Sequence, residues 1–200
     1  MLTVVGIGPG HSSLLTLAAR DAIDQAAILV GGKRHLGLYA RPGVEARVLD
    51  ADLDGLMAWL AARQHQSVVI LASGDPLLYG IGNRLVAHFG LRDVAVIPGI
   101  SAIQYLCARA GIALNDTYIT SSHGRAPDFD QLLAYPKVAM VTDSVIGPYQ
   151  IAQAILCRGL RRTLVIGEAL SSGEECIHRL APEQVAQHYA MNVVVILNEG

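Results

Sequence analysis

Five glycine-bearing polar loops in this chain carry groups able to bind or move charge. Gly6-Ile7-Gly8-Pro9-Gly10 leaves a short apolar run, and Ser12 or Ser13 stands ready to cap a following helix. Such turns hold phosphates, but a dinucleotide fingerprint needs its third glycine at position 11, where His11 stands, and Pro9 removes an N–H from the turn. No acidic residue follows Val30-Gly31-Gly32 to hold a ribose, which argues further against an ordinary dinucleotide site. A ligand loop of another kind and a plain strand-to-helix turn both remain open.

In Ser73-Gly74-Asp75-Pro76-Leu77-Leu78-Tyr79-Gly80, Asp75 as N-cap with Pro76 at the first helical position would make an ordinary helix start. A helix start leaves Gly74, Gly80 and Gly82 unaccounted for, and they suit the close approach of a backbone or a ligand. Pro98-Gly99-Ile100-Ser101-Ala102 nearly matches a hydrolase elbow, except that Ile103 occupies the place of the final glycine. Ser101 therefore reads as a helix cap or a ligand hydrogen-bond donor, not as a nucleophile. Gly31-Gly32-Lys33-Arg34-His35 and Ser121-Ser122-His123-Gly124-Arg125 set cations beside flexible backbone. Such groups suit carboxylates or phosphates, although solvated loop charges would look the same. A phosphate-cradling Walker loop fails because Arg34 follows Lys33 where a hydroxyl is required, and Ala27 replaces its first glycine.

The elements that must position these loops are legible as short apolar runs separated by helical periodicity. Leu2–Ile7, Ala27–Val30, Ser67–Leu71 and Val94–Ile97 are unbroken rather than alternating, which predicts strands buried on both faces. Ser13–Gln25 and Leu53–Arg63 repeat their apolar residues at three and four, so the unit is strand then helix and the sheet is parallel. Beyond Gly111 the expected strands are Thr117–Thr120, Val138–Val141, Thr163–Ile166 and Val193–Leu197, with helices starting near Pro148 and Pro182. Ile177–Leu180 reads as an extra strand antiparallel to Thr163–Ile166, making the second sheet mixed. The fold class is thus α/β in two lobes, residues 1–110 and 111–200, with a cleft expected between them.

With 200 residues, 52% hydrophobic and 16% charged, the chain can bury a real core. A net charge of -2 supplies no positive field for nucleic acid or an anionic membrane surface. No apolar run approaches the roughly 20 residues of a membrane span, and Leu2–Ile7 is too short, and lacks the basic leader, for a signal peptide. Cys107, Cys157 and Cys176 are too far apart for a zinc site and odd in number, so a reducing cytoplasmic setting is expected. His65, His88, His178 and His188 are not spaced as metal ligands, and no metal is expected.

Taken in order, Val5-Gly6-Ile7-Gly8-Pro9-Gly10, Ser73-Gly74-Asp75-Pro76 with Tyr79-Gly80, and Pro98-Gly99-Ile100-Ser101-Ala102 resemble the tetrapyrrole methylase family. The likeness runs on through Val141-Thr142-Asp143, Gly167-Glu168-Ala169-Leu170 and Asn192-Val193-Val194-Val195-Ile196. Val30-Gly31-Gly32-Lys33-Arg34-His35-Leu36, the whole stretch from Leu71 to Gly82, and Ser122-His123-Gly124-Arg125 point to its precorrin C5-methylating branch. The resemblance implies S-adenosylmethionine as cofactor, touching Pro9, Ser73, Gly74, Asp75, Leu78, Ser101 and Ala102, then Val141 or Thr142, and finally Ala169 and Leu170. It implies an anionic precorrin or cobalt-precorrin substrate, for which Lys33, Arg34, His123 and Arg125, with Tyr79 beside them, are candidate binders, while no catalytic residue is singled out. It also implies a homodimer in the cobalamin pathway. Because the chain stops at Gly200, a separate enzyme is expected to methylate C15 and decarboxylate. Competing expectations are a methylase of the same fold acting at another ring carbon or on a protein side chain, and a non-catalytic nucleotide-binding module.

Overall fold

The computed structural model describes residues 1–124 and 126–198. The chain divides into two compact units, Met1–Ser101 and Ala102–Gly200.

The first unit is a parallel sheet of β1 (Leu2–Gly6), β2 (Ile28–Gly31), β3 (Glu45–Val48), β4 (Val68–Ala72) and β5 (Val94–Ile97), in the order β3-β2-β4-β1-β5. Every pairing is parallel, so all five carboxyl ends share one edge. Apolar residues at alternate positions point to opposite faces. Leu2, Val4, Val30 and Ile70 pack with Leu56 and Leu60 of α3 (Leu53–Ala61) and Leu85 of α4 (Ile81–Phe89). Val5, Leu29 and Leu71 pack with Ala19 and Ile23 of α1 (Leu17–Asp24) and Leu36 of α2 (Lys33–Tyr39).

Two local expectations differ from the structure, and one strand is added to them. Thr16 caps α1 by accepting from the Ala19 N–H at 3.2 Å, whereas Ser12 and Ser13 form a short 3-10 turn with Leu14, capped by His11. Asp75-Pro76 begins no helix, since α4 starts only at Ile81. The edge strand β3 is an addition, hidden from hydrophobic patterning because none of its residues is buried.

The second unit contains α5 (Ala102–Ala110), β6 (Tyr118–Ser121), α6 (Phe129–Leu132), β7 (Lys137–Val141), α7 (Pro148–Leu156), β8 (Thr163–Glu168), β9 (Cys176–Leu180) and β10 (Asn192–Leu197). Its sheet runs β6-β7-β10-β8-β9, with β6 and β7 parallel and the other pairs antiparallel, including the expected β8–β9 pair. Helix α5 belongs here rather than with the first lobe, because its buried Ile103, Leu106 and Cys107 accompany its packing on β7 and β10. Pro182 opens only a 3-10 turn, Pro182–Gln184. The register puts the carboxyl ends of β6, β7 and β8 on the same edge as the amino ends of β9 and β10.

Candidate active site

At the carboxyl edge of the first sheet, three backbones meet without side chains between them. A Cβ on Gly6 would lie 2.5 Å from the Gly99 nitrogen and 2.6 Å from the Gly74 oxygen, and one on Gly99 would overlap that same oxygen. Gly8 and Gly74 exchange main-chain hydrogen bonds of 3.3 and 2.9 Å, joining the loop after β1 to the loop after β4. Asp75 completes the knot, its Oδ1 accepting from the Leu77 N–H at 2.8 Å and its Oδ2 from the Gly99 N–H at 3.2 Å. The glycines that a helix start leaves over therefore serve close backbone approach. Gly80 and Gly82 do the same against Pro76, whose oxygen accepts from the Gly82 N–H at 3.0 Å.

The result is an edge made largely of main chain. Ser73 lies exposed, Pro9, Asp75 and Leu78 are half-buried, and Ser101 is buried just before α5. Tyr79 sits at φ 55° and is 46% exposed. A left-handed non-glycine residue costs on the order of 1 kcal/mol and is kept where the surroundings enforce it. Here the enforcement includes Asn83, which donates to the Leu77 oxygen at 3.0 Å.

Lys33 and Arg34 lie exposed at the start of α2, one strand over from that loop. On sequence His35 is one more cation of this cluster, but its Nε2 lies 3.1 Å from Ser73 Oγ, so it ties α2 to the β4 loop. Burial pushes the His35 pKa down, and the Arg34 charge adds to the effect. His35 is thus a neutral hydrogen-bonding partner at neutral pH.

At the edge of the second sheet, Thr142 is buried and its hydroxyl donates to Asn192, with the main-chain and side-chain oxygens at 2.7 and 2.8 Å. The Ala169 N–H donates to the Met191 oxygen at 2.9 Å, and the Ser122 N–H to the Val141 oxygen at 3.0 Å. Val141, Thr142 and Ala169 are thereby brought onto one hydrogen-bonded rim, with Leu170 buried beside Gly167. His123 lies exposed at the end of the β6 loop, its Nδ1 3.1 Å from Ser121 Oγ. Arg125 lies outside the described residues.

Asp143 turns the β7 loop by accepting from the Ile146 N–H at 2.7 Å and the Val145 N–H at 2.8 Å. Those two bonds, that of Ile146 first, hold its carboxyl below the ordinary 3.8, and the nearby His123 adds to them. The folded pKa is depressed, so the stabilisation exists above the unfolded value and is lost as pH falls through the folded one. Asp143→Asn is expected to lower the melting temperature by a few degrees at pH 6. In scans at decreasing pH the gap to the wild type should close below about 3.8; a gap that persists there would refute this role.

Among the described residues, no group of three or more His, Cys, Asp or Glu could hold a metal ion. The first edge instead offers main-chain donors and acceptors, a loop hydroxyl, one carboxylate and apolar Leu78. That set suits a ligand that combines an apolar face with polar and cationic groups, as the implied S-adenosylmethionine does.

The family model described as "Tetrapyrrole (Corrin/Porphyrin) Methylases" matches residues 1–185. The chain belongs to the tetrapyrrole methylase family. Among curated relatives, this methylase is 55% identical over 200 residues, the whole of both chains, to the cobalt-precorrin-7 C(5)-methyltransferase of Salmonella typhimurium. It is 31% identical over 98% of its own length to a precorrin-6Y C(5,15)-methyltransferase (decarboxylating) of Sinorhizobium, of which it spans 48%. Among solved structures, the uroporphyrin-III C-methyltransferase of Thermus thermophilus complexed with S-adenosylhomocysteine gives a TM-score of 0.78 at 23% identity, over 98% of this methylase and 96% of that chain. The last likeness is one of fold.

Proposed function

We propose that the chain is an S-adenosylmethionine-dependent C-methyltransferase of corrin biosynthesis, adding a methyl group to C5 of a cobalt-precorrin or precorrin macrocycle. The observation that carries this reading is the 55% identity, end to end, with a cobalt-precorrin-7 C(5)-methyltransferase. Pro9, Ser73, Gly74, Asp75, Leu78, Ser101 and Ala102 are assigned to S-adenosylmethionine, together with Val141 or Thr142, and Ala169 and Leu170. Bound there, the cofactor supplies an electrophilic methyl group on a sulfonium.

Methyl transfer to carbon is an in-line displacement, so the protein's work is alignment and exclusion of water rather than provision of a nucleophile. The glycine-packed edge suits alignment because main-chain groups cannot rotate away. The acceptor is a reduced macrocycle whose electron-rich carbon attacks and whose rim bears carboxylates. Lys33, Arg34 and His123 are assigned to those carboxylates, with Arg125 and Tyr79 as further contacts, and the exposure of the first three leaves them available to a large anion. A homodimer in the cytoplasm completes the proposal, and light scattering reads the first part of it. No described helix is long and apolar enough to cross a membrane.

Calorimetric titration with S-adenosylhomocysteine tests the cofactor assignment: one saturable site supports it, and no binding by folded protein rejects it. The substrate assignment has its own expectation. Lys33→Glu with Arg34→Glu should raise the tetrapyrrole KM at least about tenfold, through lost charge-assisted hydrogen bonds, with S-adenosylhomocysteine affinity within about twofold of wild type. An unchanged KM would mean that the macrocycle binds elsewhere.

A further inference from the structure

The turn after β8 carries two non-glycine residues at positive φ, Ala169 at 47° and Ser171 at 61°, with Leu170 buried between them. Side-chain-bearing residues stay in that region only where their surroundings over-determine it. Much of that constraint comes from Glu175. Its Oε2 accepts the Ser171 N–H at 2.7 Å and its Oε1 accepts from Arg109 Nε at 2.9 Å. Tyr105 is hydrogen-bonded to the same carboxylate. Tyr105 and Arg109 stand one turn apart on α5, the helix that begins at Ala102.

Only 13% of the Glu175 side chain is exposed. Burial by itself pushes its carboxyl up, yet the Ser171 N–H, the Tyr105 hydroxyl and the Arg109 guanidinium together hold it below its ordinary value. A carboxylate, charged at neutral pH, thus joins the β8 turn to α5. Within the turn itself, the Ala169 oxygen accepts from Ser172 Oγ at 2.7 Å.

We propose that Glu175 is a positioning residue for cofactor binding, holding the Ala169–Leu170 turn and α5 in the arrangement that receives the cofactor. This rests on the assignment of Ala169, Leu170 and Ala102 to S-adenosylmethionine. Glu175 stands outside every loop that the sequence marks, and it acts through the main chain of Ser171 rather than by touching the ligand.

The test is calorimetric titration of S-adenosylhomocysteine into wild type, Glu175→Ala and Glu175→Gln, with melting temperatures alongside. Glu175→Ala is expected to weaken binding about tenfold, the effect of losing charge-assisted hydrogen bonds. Glu175→Gln keeps an acceptor for the Ser171 N–H and should return to within about threefold of wild type. The KM for S-adenosylmethionine should rise in step with the dissociation constant, while the tetrapyrrole KM stays put. An alanine variant that melts earlier yet binds with wild-type affinity would overturn the proposal, leaving Glu175 a purely structural residue. Should that variant not fold, Glu175→Asp, one methylene short of Ser171, carries the same expectation and the same contrary result. Failure of the wild type itself to bind would instead reject the cofactor assignment, a pattern distinct from equal binding by all variants.

Discussion

Gly6→Ala is expected to yield a protein that unfolds at markedly lower urea concentration than the wild type, or that fails to accumulate in folded form. The added Cβ would lie 2.5 Å from the Gly99 nitrogen and 2.6 Å from the Gly74 oxygen, and both are main-chain atoms that no rotamer change can move. Relief requires β1 to separate from the loops after β4 and β5, its neighbours on either side in the sheet. Overpacking of that kind costs about 3 kcal/mol or more, a large part of the roughly 5–15 kcal/mol that holds an ordinary domain folded. Gly173→Ala is the matched control, because nothing lies within 4 Å of its added Cβ. Equal midpoints for the two variants in urea titration would show that the three glycine backbones do not meet as described.

Asp75→Ala is expected to bind S-adenosylhomocysteine at least about tenfold more weakly, because the loop after β4 loses the carboxylate that holds it in place before the ligand arrives. The carboxylate is what fastens the loop after β4 to the Gly99 N–H, 24 residues on. Released, the Ser73-Gly74 main chain must be ordered at the moment of binding, and that entropy comes out of the affinity. Asp75→Asn separates geometry from charge, since its single side-chain oxygen can serve either Leu77 or Gly99 but its NH2 can accept from neither. It is expected to fall between wild type and alanine in calorimetry. Wild-type affinity in Asp75→Ala would remove this loop from the cofactor site.

The fold is legible in the sequence wherever burial writes it into composition. β4 is apolar and buried throughout, and its expected bounds lie one residue from those observed. β3 is not legible, because an exposed edge strand needs no hydrophobic pattern. Pro182 looks like a helix start on propensity alone, but the chain keeps only a 3-10 turn there. Asp75-Pro76 misleads in the same way: the N–H groups that reach its carboxylate include one from a different loop, and tertiary contact prevails over local capping.

The candidate site shows the same division. Its glycine loops announce themselves, because the ends of β4, β1 and β5, side by side in the sheet, each carry a glycine, and at Gly6 and Gly99 only a residue without Cβ fits. The ties that fix side chains do not, because their partners are distant in sequence. Thr142 and Asn192 are 50 residues apart, Ser73 and His35 are 38 apart, and no local pattern links Glu175 to Arg109. Such pairs exist only once the strand order is set.

The most direct measurement is an anaerobic incubation of the protein with its cobalt-precorrin or precorrin substrate and S-adenosylmethionine carrying a 13C-labelled methyl group, followed by NMR of the isolated macrocycle. One labelled methyl per ring, attached to C5, is the expected result. Label at another ring carbon, or none transferred by folded protein that binds the cofactor, would contradict it.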